Sequence, residues 1–199
     1  MKLRTKLFAL MTALALLSAC AASGGGGGSA DEAKFSELRQ SLTVAASVSF
    51  TARVRADYGD KVLDYTLDCV VAGEETRLTV RSPELIAGVT ATVKDGGAAL
   101  QFDGLVLDPA AIGDSSVTPL TAPALIVAAL REGHVSGLRR EKLDDLNALT
   151  AEVLDAQNNT ETFWLNPETG ALLRAEIASG GRVVISCTVD GWTVETGNS

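Results

Sequence analysis

Val44-Ala45-Ala46-Ser47-Val48-Ser49-Phe50-Thr51-Ala52-Arg53-Val54-Arg55 is the stretch on which the fold turns. Val44, Ala46, Val48, Phe50, Ala52 and Val54 alternate with Ala45, Ser47, Ser49, Thr51, Arg53 and Arg55. A period of two puts the first set on one face of an extended chain and the second on the other, so the run predicts a long strand with one buried and one polar face. Asp57-Tyr58-Gly59-Asp60 then predicts a turn. Beyond it Leu63, Tyr65, Leu67, Cys69 and Val71 share one side of a second strand, opposite Asp64, Thr66 and Asp68. Leu78 and Val80 repeat the pattern, and Val89, Ala91 and Val93 continue it. Short strands are expected at 100–102 and 105–107, and Gly73, Gly88, Gly96, Gly97 and Gly104 punctuate the run. The pattern is that of an antiparallel meander.

On the N-terminal side, Phe35, Leu38 and Leu42 at helical spacing predict a helix over 31–42, with Ser29 or Asp31 as its N-cap. On the C-terminal side the meander is interrupted. A second helix is expected over 124–131, with Pro123 in its first turn, Gly133 as its stop, and Leu125, Ile126, Ala129 and Leu130 as its apolar stripe. Residues 137–144 fit a strand turning at Asp144-Asp145 better than a solvated helical turn. Strands follow over 150–155, 161–165 and 171–177, the last two joined by the turn Asn166-Pro167-Glu168-Thr169-Gly170. Gly180-Gly181 turns into a strand carrying Val183, Ile185, Cys187 and Val189, and the tail from Gly191 is short and polar apart from Trp192 and Val194.

The chain has 199 residues, which suits one domain, and its 46% apolar and 21% charged residues suit a packed core. Its net charge is −8. Three cations, Lys2, Arg4 and Lys6, precede an apolar run over 7–17 that is too short to span a bilayer as a helix. Leu17-Ser18-Ala19-Cys20 ends that run. The arrangement resembles the bacterial lipoprotein signal, in which small residues fit the peptidase and the cysteine thiol takes the diacylglyceryl group. Residues 1–19 are thus read as a signal peptide and Cys20 as the residue lipidated with palmitate-type chains. Burial contributes about 0.8 kcal/mol per methylene, so two or more chains give stable anchoring. Without the signal the net charge is −11, which offers nucleic acid or anionic headgroups no general attraction. Residues 20–30 then read as the lipidated cysteine and a flexible Gly/Ser tether. No strand precedes those glycines and no Lys-Ser or Lys-Thr follows them, which excludes a phosphate-binding loop. Residues 31–199 form the single folded domain.

The order helix, long meander, helix, second meander resembles the Lol-carrier superfamily of periplasmic and cell-envelope proteins. Val48-Ser49-Phe50-Thr51-Ala52-Arg53-Val54 is similar to that family's first strand. Phe163-Trp164-Leu165-Asn166-Pro167-Glu168-Thr169-Gly170, followed by Leu172-Leu173-Arg174-Ala175-Glu176-Ile177, is similar to its late hairpin. The resemblance is nearest to germination and sporulation lipoproteins of spore-forming bacteria. It implies a mainly β, α+β fold: a half-open antiparallel barrel whose concave face is covered by helices, a face that in carriers holds acyl chains of lipoproteins.

Catalytic constellations are sparse. His134, the one histidine, reads as a helix-end or loop residue. Asp57, Asp60 and Asp64 read as a solvated turn, and the other acids as dispersed over polar strand faces. The composition offers too few histidines and cysteines for an ordinary zinc site, and no cofactor or metal is expected. Cys69 and Cys187 fall on apolar strand sides, leaving open either a disulfide or two buried thiols.

The function expected is therefore non-enzymatic. One reading is a lipid-anchored protein on the extracytoplasmic face of the cell envelope that binds a lipid, lipoprotein acyl chains or another hydrophobic ligand. Phe50, Val54, Tyr65 and Leu67 on the two longest strands, with Leu125, Ile126 and Leu130 on the covering helix, are its candidate ligand-binding residues. The other reading is a module that uses the same scaffold to hold another envelope protein, for example in spore germination or sporulation.

The lipidation reading has a direct test. Cys20→Ser should leave an unprocessed precursor that takes up no labelled fatty acid; labelling of that variant would contradict an anchor at Cys20.

Overall fold

The structure, a computed structural model, describes residues 28–94, 97–102, 105–107, 117–155 and 159–197. The signal, Cys20 and the tether as far as residue 27 lie outside the described residues. Helix α1 (Gly28–Val44) leads into β1 (Ala45–Asp57), β2 (Val62–Ala72) and β3 (Glu75–Ser82). A 3-10 turn (Glu84–Ile86) precedes β4 (Thr90–Lys94), β5 (Gly97–Phe102) and β6 (Leu105–Leu107). Helix α2 (Ala122–Glu132) opens the second half, followed by β7 (His134–Leu143), β8 (Leu146–Leu154), β9 (Thr160–Leu165), β10 (Leu172–Ser179) and β11 (Arg182–Thr196).

Among the described residues, the strands form one antiparallel sheet of eleven, in the order β6-β5-β4-β3-β2-β1-β11-β10-β9-β8-β7. Two meanders are thus joined where the first strand pairs with the last. Val48 lies opposite Val194, Ala52 opposite Val189 and Val54 opposite Cys187. The sheet does not close, because β6 and β7 are its edges.

The sheet must curl, and α2 is the measure of it. This helix packs against β2 and β3 on one arm and β8 on the other. In a flat sheet β3 and β8 would stand six strand spacings apart, ~29 Å. An eleven-residue helix is only ~16 Å long. Both arms reach it only if the sheet bends around it, which makes the helix-covered face concave. The mainly β, half-open architecture implied by the family resemblance is the one observed.

The alternation in β1 survives where it matters. Val48, Phe50, Ala52, Val54 and Ala56 are buried and face Leu67, Cys69 and Val71 of β2 and Ile185, Cys187 and Val189 of β11. From the helices Phe35, Leu38, Leu42, Ile126, Val127 and Leu130 close the same core. Each large aliphatic or aromatic side chain so buried contributes roughly 1.5–3 kcal/mol. On the opposite face of β1, Arg53 pairs with Asp190 and Arg55 with Asp64.

Several boundaries differ from expectation. Helix α1 begins at Gly28, so Ser29 and Asp31 lie inside its first turn rather than capping it. It also takes Val44, which is 62% exposed. Ala46 is exposed too, because the β1–β11 register shifts between Ala45 and Ser47. Strand β8 starts at Leu146, and its turn from β7 has Asp144 at φ 53. The segment beyond Gly191 is no loose tail: it continues β11, and a register shift brings Trp192 against Phe50 with ring centroids 5.2 Å apart. His134 is the exposed first residue of β7, neither helical nor in a loop.

Cys69 and Cys187 are both buried and both free thiols. Strand β1 runs between β2 and β11, with Cys69 opposite its Phe50 and Cys187 opposite its Val54, so the two lie two strand spacings (~9.6 Å) apart across the sheet and four residues apart along it. A disulfide tolerates a Cα separation of at most about 7 Å. The thiol reading is therefore the correct one, and burial pushes the ionisation of both thiols well up.

Candidate functional site

Two arginines fix the helices over the concave face. Arg39 on α1 donates to the carbonyl of Gly133, just past the end of α2. Arg131 on α2 donates from Nε to the Leu42 carbonyl near the end of α1 (3.1 Å) and from Nη1 to the Gly73 carbonyl in the β2–β3 turn (3.0 Å). At Gly133 and Leu42 the two cations thus meet carbonyls at helix C-terminal ends, where the helix dipole also favours positive charge. The N-terminal part of α1 is held by Arg140 of β7, whose guanidinium bonds both carboxylate oxygens of Asp31 and holds that carboxyl below its usual range. Gly133 is required by space: a Cβ there would stand 2.2 Å from Cγ1 of Val153. The end of α2 thus rests directly on β8. On its other side, Tyr58 ties the segment before α2 to the β1–β2 turn through the Val117 carbonyl (3.0 Å).

Beside α2, between the β2–β4 arm and the β8–β9 turn, runs a groove of about 480 Å³. Leu125, Ala124 and Ala128 form its helical wall, and Val71, Thr76 and Val93 its sheet wall. Glu74, Lys94, Arg131, Glu132 and Asp155 supply its charges. This volume lies within the range of small-molecule sites, about 300–1,000 Å³. Two further depressions flank α1, one of about 250 Å³ over the Asn166–Gly170 turn and one of about 530 Å³ against β7. Polar residues of α1 line both, and neither lies in the gap between the arms.

The residues singled out from the sequence divide between the core and this groove. Phe50, Val54, Leu67, Ile126 and Leu130 are buried beneath the helices. Tyr65 is half-buried at the margin of the core. Leu125, placed on the expected apolar stripe, turns instead to the groove, and Val127 takes a buried position that the stripe omitted. Val71, Val93 and Ala128 went unnoticed as groove residues. The spacing Leu125 to Ala128 marks the second face of α2, but only the packing tells which face is covered.

Glu161 departs from the expectation that the acids lie on polar strand faces. It shares the buried face of β9 with Phe163 and Leu165, as the period of two requires, and lies opposite Val153 and Ile177. The residue is fully buried, and neither carboxyl oxygen has a hydrogen-bond partner. Burial, reinforced by the charge of Asp155, pushes its pKa up to about 8. Among the described residues, no group of three or more His, Cys, Asp or Glu side chains is placed to hold a metal ion. No described helix is long and apolar enough to cross a membrane.

The Glu161 carboxyl gives folding a pH dependence of unusual sign. Its folded pKa is about 8, against an ordinary value of 4.5. The folded state therefore holds the proton more tightly between those values, and stability falls as pH rises through that window, by up to ~1.4 kcal/mol per pH unit. Denaturant titrations at pH 5 and pH 7.5 should show a loss in the wild type that Glu161→Gln largely removes. An equal loss in both proteins would mean that Glu161 ionises normally.

No protein-family model and no curated protein matches the chain. Several solved structures do. A putative outer membrane lipoprotein-sorting protein domain from Vibrio parahaemolyticus is similar at 9% identity and TM-score 0.48, over 85% of this chain and 95% of that one. A LolA superfamily protein from Nitrosomonas europaea is similar at 12% identity and TM-score 0.41, over 85% and 94%. A chain in the structure of the CwlD amidase from Clostridioides difficile in complex with the GerS lipoprotein is similar at 14% identity and TM-score 0.41, over 78% and 90%. Each is a structural likeness at low sequence identity.

Proposed function

We propose that the chain is an exported bacterial lipoprotein, anchored through Cys20 on the extracytoplasmic face of a membrane, that binds a lipid or another hydrophobic ligand in the groove beside α2. The observation that carries this reading is the gap between the two arms of the sheet. An open sheet leaves its concave face to be covered, and α2 covers part of it while leaving a groove with Leu125 and Ala128 on the helical side and the buried Val71 and Val93 at the sheet behind them. A concave site of this size with apolar walls and a few charges at its margin is the usual form of a small-molecule site. The basic segment, short apolar run and Leu17-Ser18-Ala19-Cys20 sequence support the anchor, and the Gly/Ser stretch after them supports a tether. The reading assigns binding rather than catalysis, in keeping with a lone histidine exposed at the start of β7.

A module that holds another envelope protein is the second reading. It draws on Leu85, which is 95% exposed on the 3-10 turn between β3 and β4. Single exposed leucines are ordinary on protein surfaces, which gives this reading less support than the groove gives the first.

Ala128 is exposed on the groove wall, so a tryptophan there fills the groove without entering the core. Residues 20–199, with Cys20→Ala to keep the chain soluble, should retain lipid from the expression host in native mass spectrometry. Ala128→Trp should lose that lipid at an unchanged melting temperature. Full retention by a folded Ala128→Trp protein, or a parent that neither retains nor takes up lipid, would overturn the reading.

A further inference from the structure

Most of the charged side chains that line the groove gather at one end of it. The bond from Nη1 of Arg131 to the Gly73 carbonyl seats the last turn of α2 on the β2–β3 turn, so Arg131 and Glu132 stand at the same end as Glu74. Val93 lies opposite Thr76, which puts Lys94, the next residue of β4, at that end too. Asp155 lines the groove from the other arm and is already answered: its carboxylate accepts from the backbone N–H and from Nδ2 of Asn159, each at 2.8 Å.

Arg131 is a fixed cation with donors to spare. Its Nε and Nη1 are spent on the Leu42 and Gly73 carbonyls, and among the described residues nothing accepts from Nη2. Burial lowers its pKa, which means that its charge is incompletely solvated. A guanidinium already held by two carbonyls loses little further freedom when it grips an anion. Lys94, Glu74 and Glu132 are exposed, and none of the three makes a hydrogen bond or close ion pair among the described residues. This end of the groove therefore offers two cations and two carboxylates, with apolar walls leading away from them.

We propose that the ligand is a zwitterionic phospholipid with a primary ammonium, its phosphate held between Arg131 and Lys94 and its ammonium by Glu74 and Glu132. The inference rests on the reading of the groove as a ligand site and names the chemistry of its occupant. An acyl chain runs from the charged end past Leu125 and Ala128, with Val71 and Val93 behind it. Nη2 of Arg131 and Nζ of Lys94 donate to phosphate oxygens, and the ammonium donates to the two carboxylates, all of them charge-assisted bonds. A glyceride leaves the four charged groups without partners. An anionic head such as phosphoglycerol satisfies the cations but sets its surplus negative charge against Glu74 and Glu132, in a chain whose net charge without the signal is −11.

Lauroyl-lysophosphatidylethanolamine, lauroyl-lysophosphatidylglycerol and monolauroylglycerol share one tail and, below their micellar or solubility limits, are matched probes for calorimetry on residues 20–199 with Cys20→Ala. The ethanolamine lipid should bind at least ~10-fold tighter than the glyceride, a difference of ~1.4 kcal/mol. It should bind at least ~5-fold tighter than the phosphoglycerol lipid. Phosphoethanolamine without the tail should bind at least ~100-fold more weakly, because it buries no chain. Lys94→Gln should cut the preference over the glyceride by at least ~5-fold. Glu74→Gln with Glu132→Gln should abolish the preference over the phosphoglycerol lipid. These side chains are exposed and unbonded, so both variants should keep the wild-type melting temperature and glyceride affinity. Equal binding of the three lipids, tighter binding of the phosphoglycerol lipid, or preferences that survive both sets of substitutions overturns the head-group assignment and leaves the groove reading standing. Phosphoethanolamine binding as tightly as its lipid overturns the phospholipid as the ligand. If no lipid binds the wild type, the groove reading falls and this inference falls with it.

Discussion

The pairing of β1 with β11 is the constraint on which the rest of the molecule depends. It joins the first strand of the chain to the last, so the two meanders grow outward from the centre in opposite directions. Their free ends, β6 and β7, become the two edges of the sheet although they are consecutive in sequence. The connection between them has to cross from one edge to the other, and edges of a flat eleven-stranded sheet would be ~48 Å apart. The chain resolves this by curling the sheet, and the described part of the connection, residues 117–133, lies over its concave face. Helix α2 lies there because the connection must, and it is apolar on the side it turns to the core for the same reason.

The helix pair and the groove follow from that crossing. Arg39 and Arg131 each satisfy carbonyls at the end of the opposite helix, so α1 and α2 are held to one another as well as to the sheet. Gly133 lets the end of α2 settle onto Val153 and fixes which face of the helix is covered. The other face, with Leu125 and Ala128, is left along the gap between the arms. The groove is therefore a by-product of topology, whereas the unpaired carboxyl of Glu161 on β9 is a choice of residue on a strand face otherwise taken by Phe163 and Leu165.

Much of the fold was legible because the core strands obey a strict period of two. β1, β2, β10 and β11 are read correctly from Phe50, Leu67, Ile177 and Cys187 and their neighbours. The turn at Asn166 is equally plain: its side chain caps Glu168 and Thr169, and Gly170 takes φ 71. Periodicity cannot fix where an alternation begins, which is why Val44 and Ala46 were put on the buried face although α1 runs through one and a register shift displaces the other. Nor does it give strand order, so the separation of Cys69 from Cys187 by β1 was beyond reach. The candidate site was legible only in part. Phe50, Val54 and Leu67 have the alternation of a cavity wall, but a filled core has it too, and the covering helices make them core. The alternation Glu161-Thr162-Phe163-Trp164-Leu165 puts Glu161 on the face of Phe163 and Leu165, against the expectation that acids lie on polar faces.

Intermolecular NOEs between a bound alkyl chain and selectively labelled methyl groups test most directly whether a hydrophobic ligand lies in the groove against α2. Contacts to Leu125, Ala128, Val71 and Val93 together are expected, because these residues share one groove although they come from three elements. Contacts confined to surface methyls such as those of Leu85, Val62 and Val183, with the groove methyls unperturbed, would contradict it.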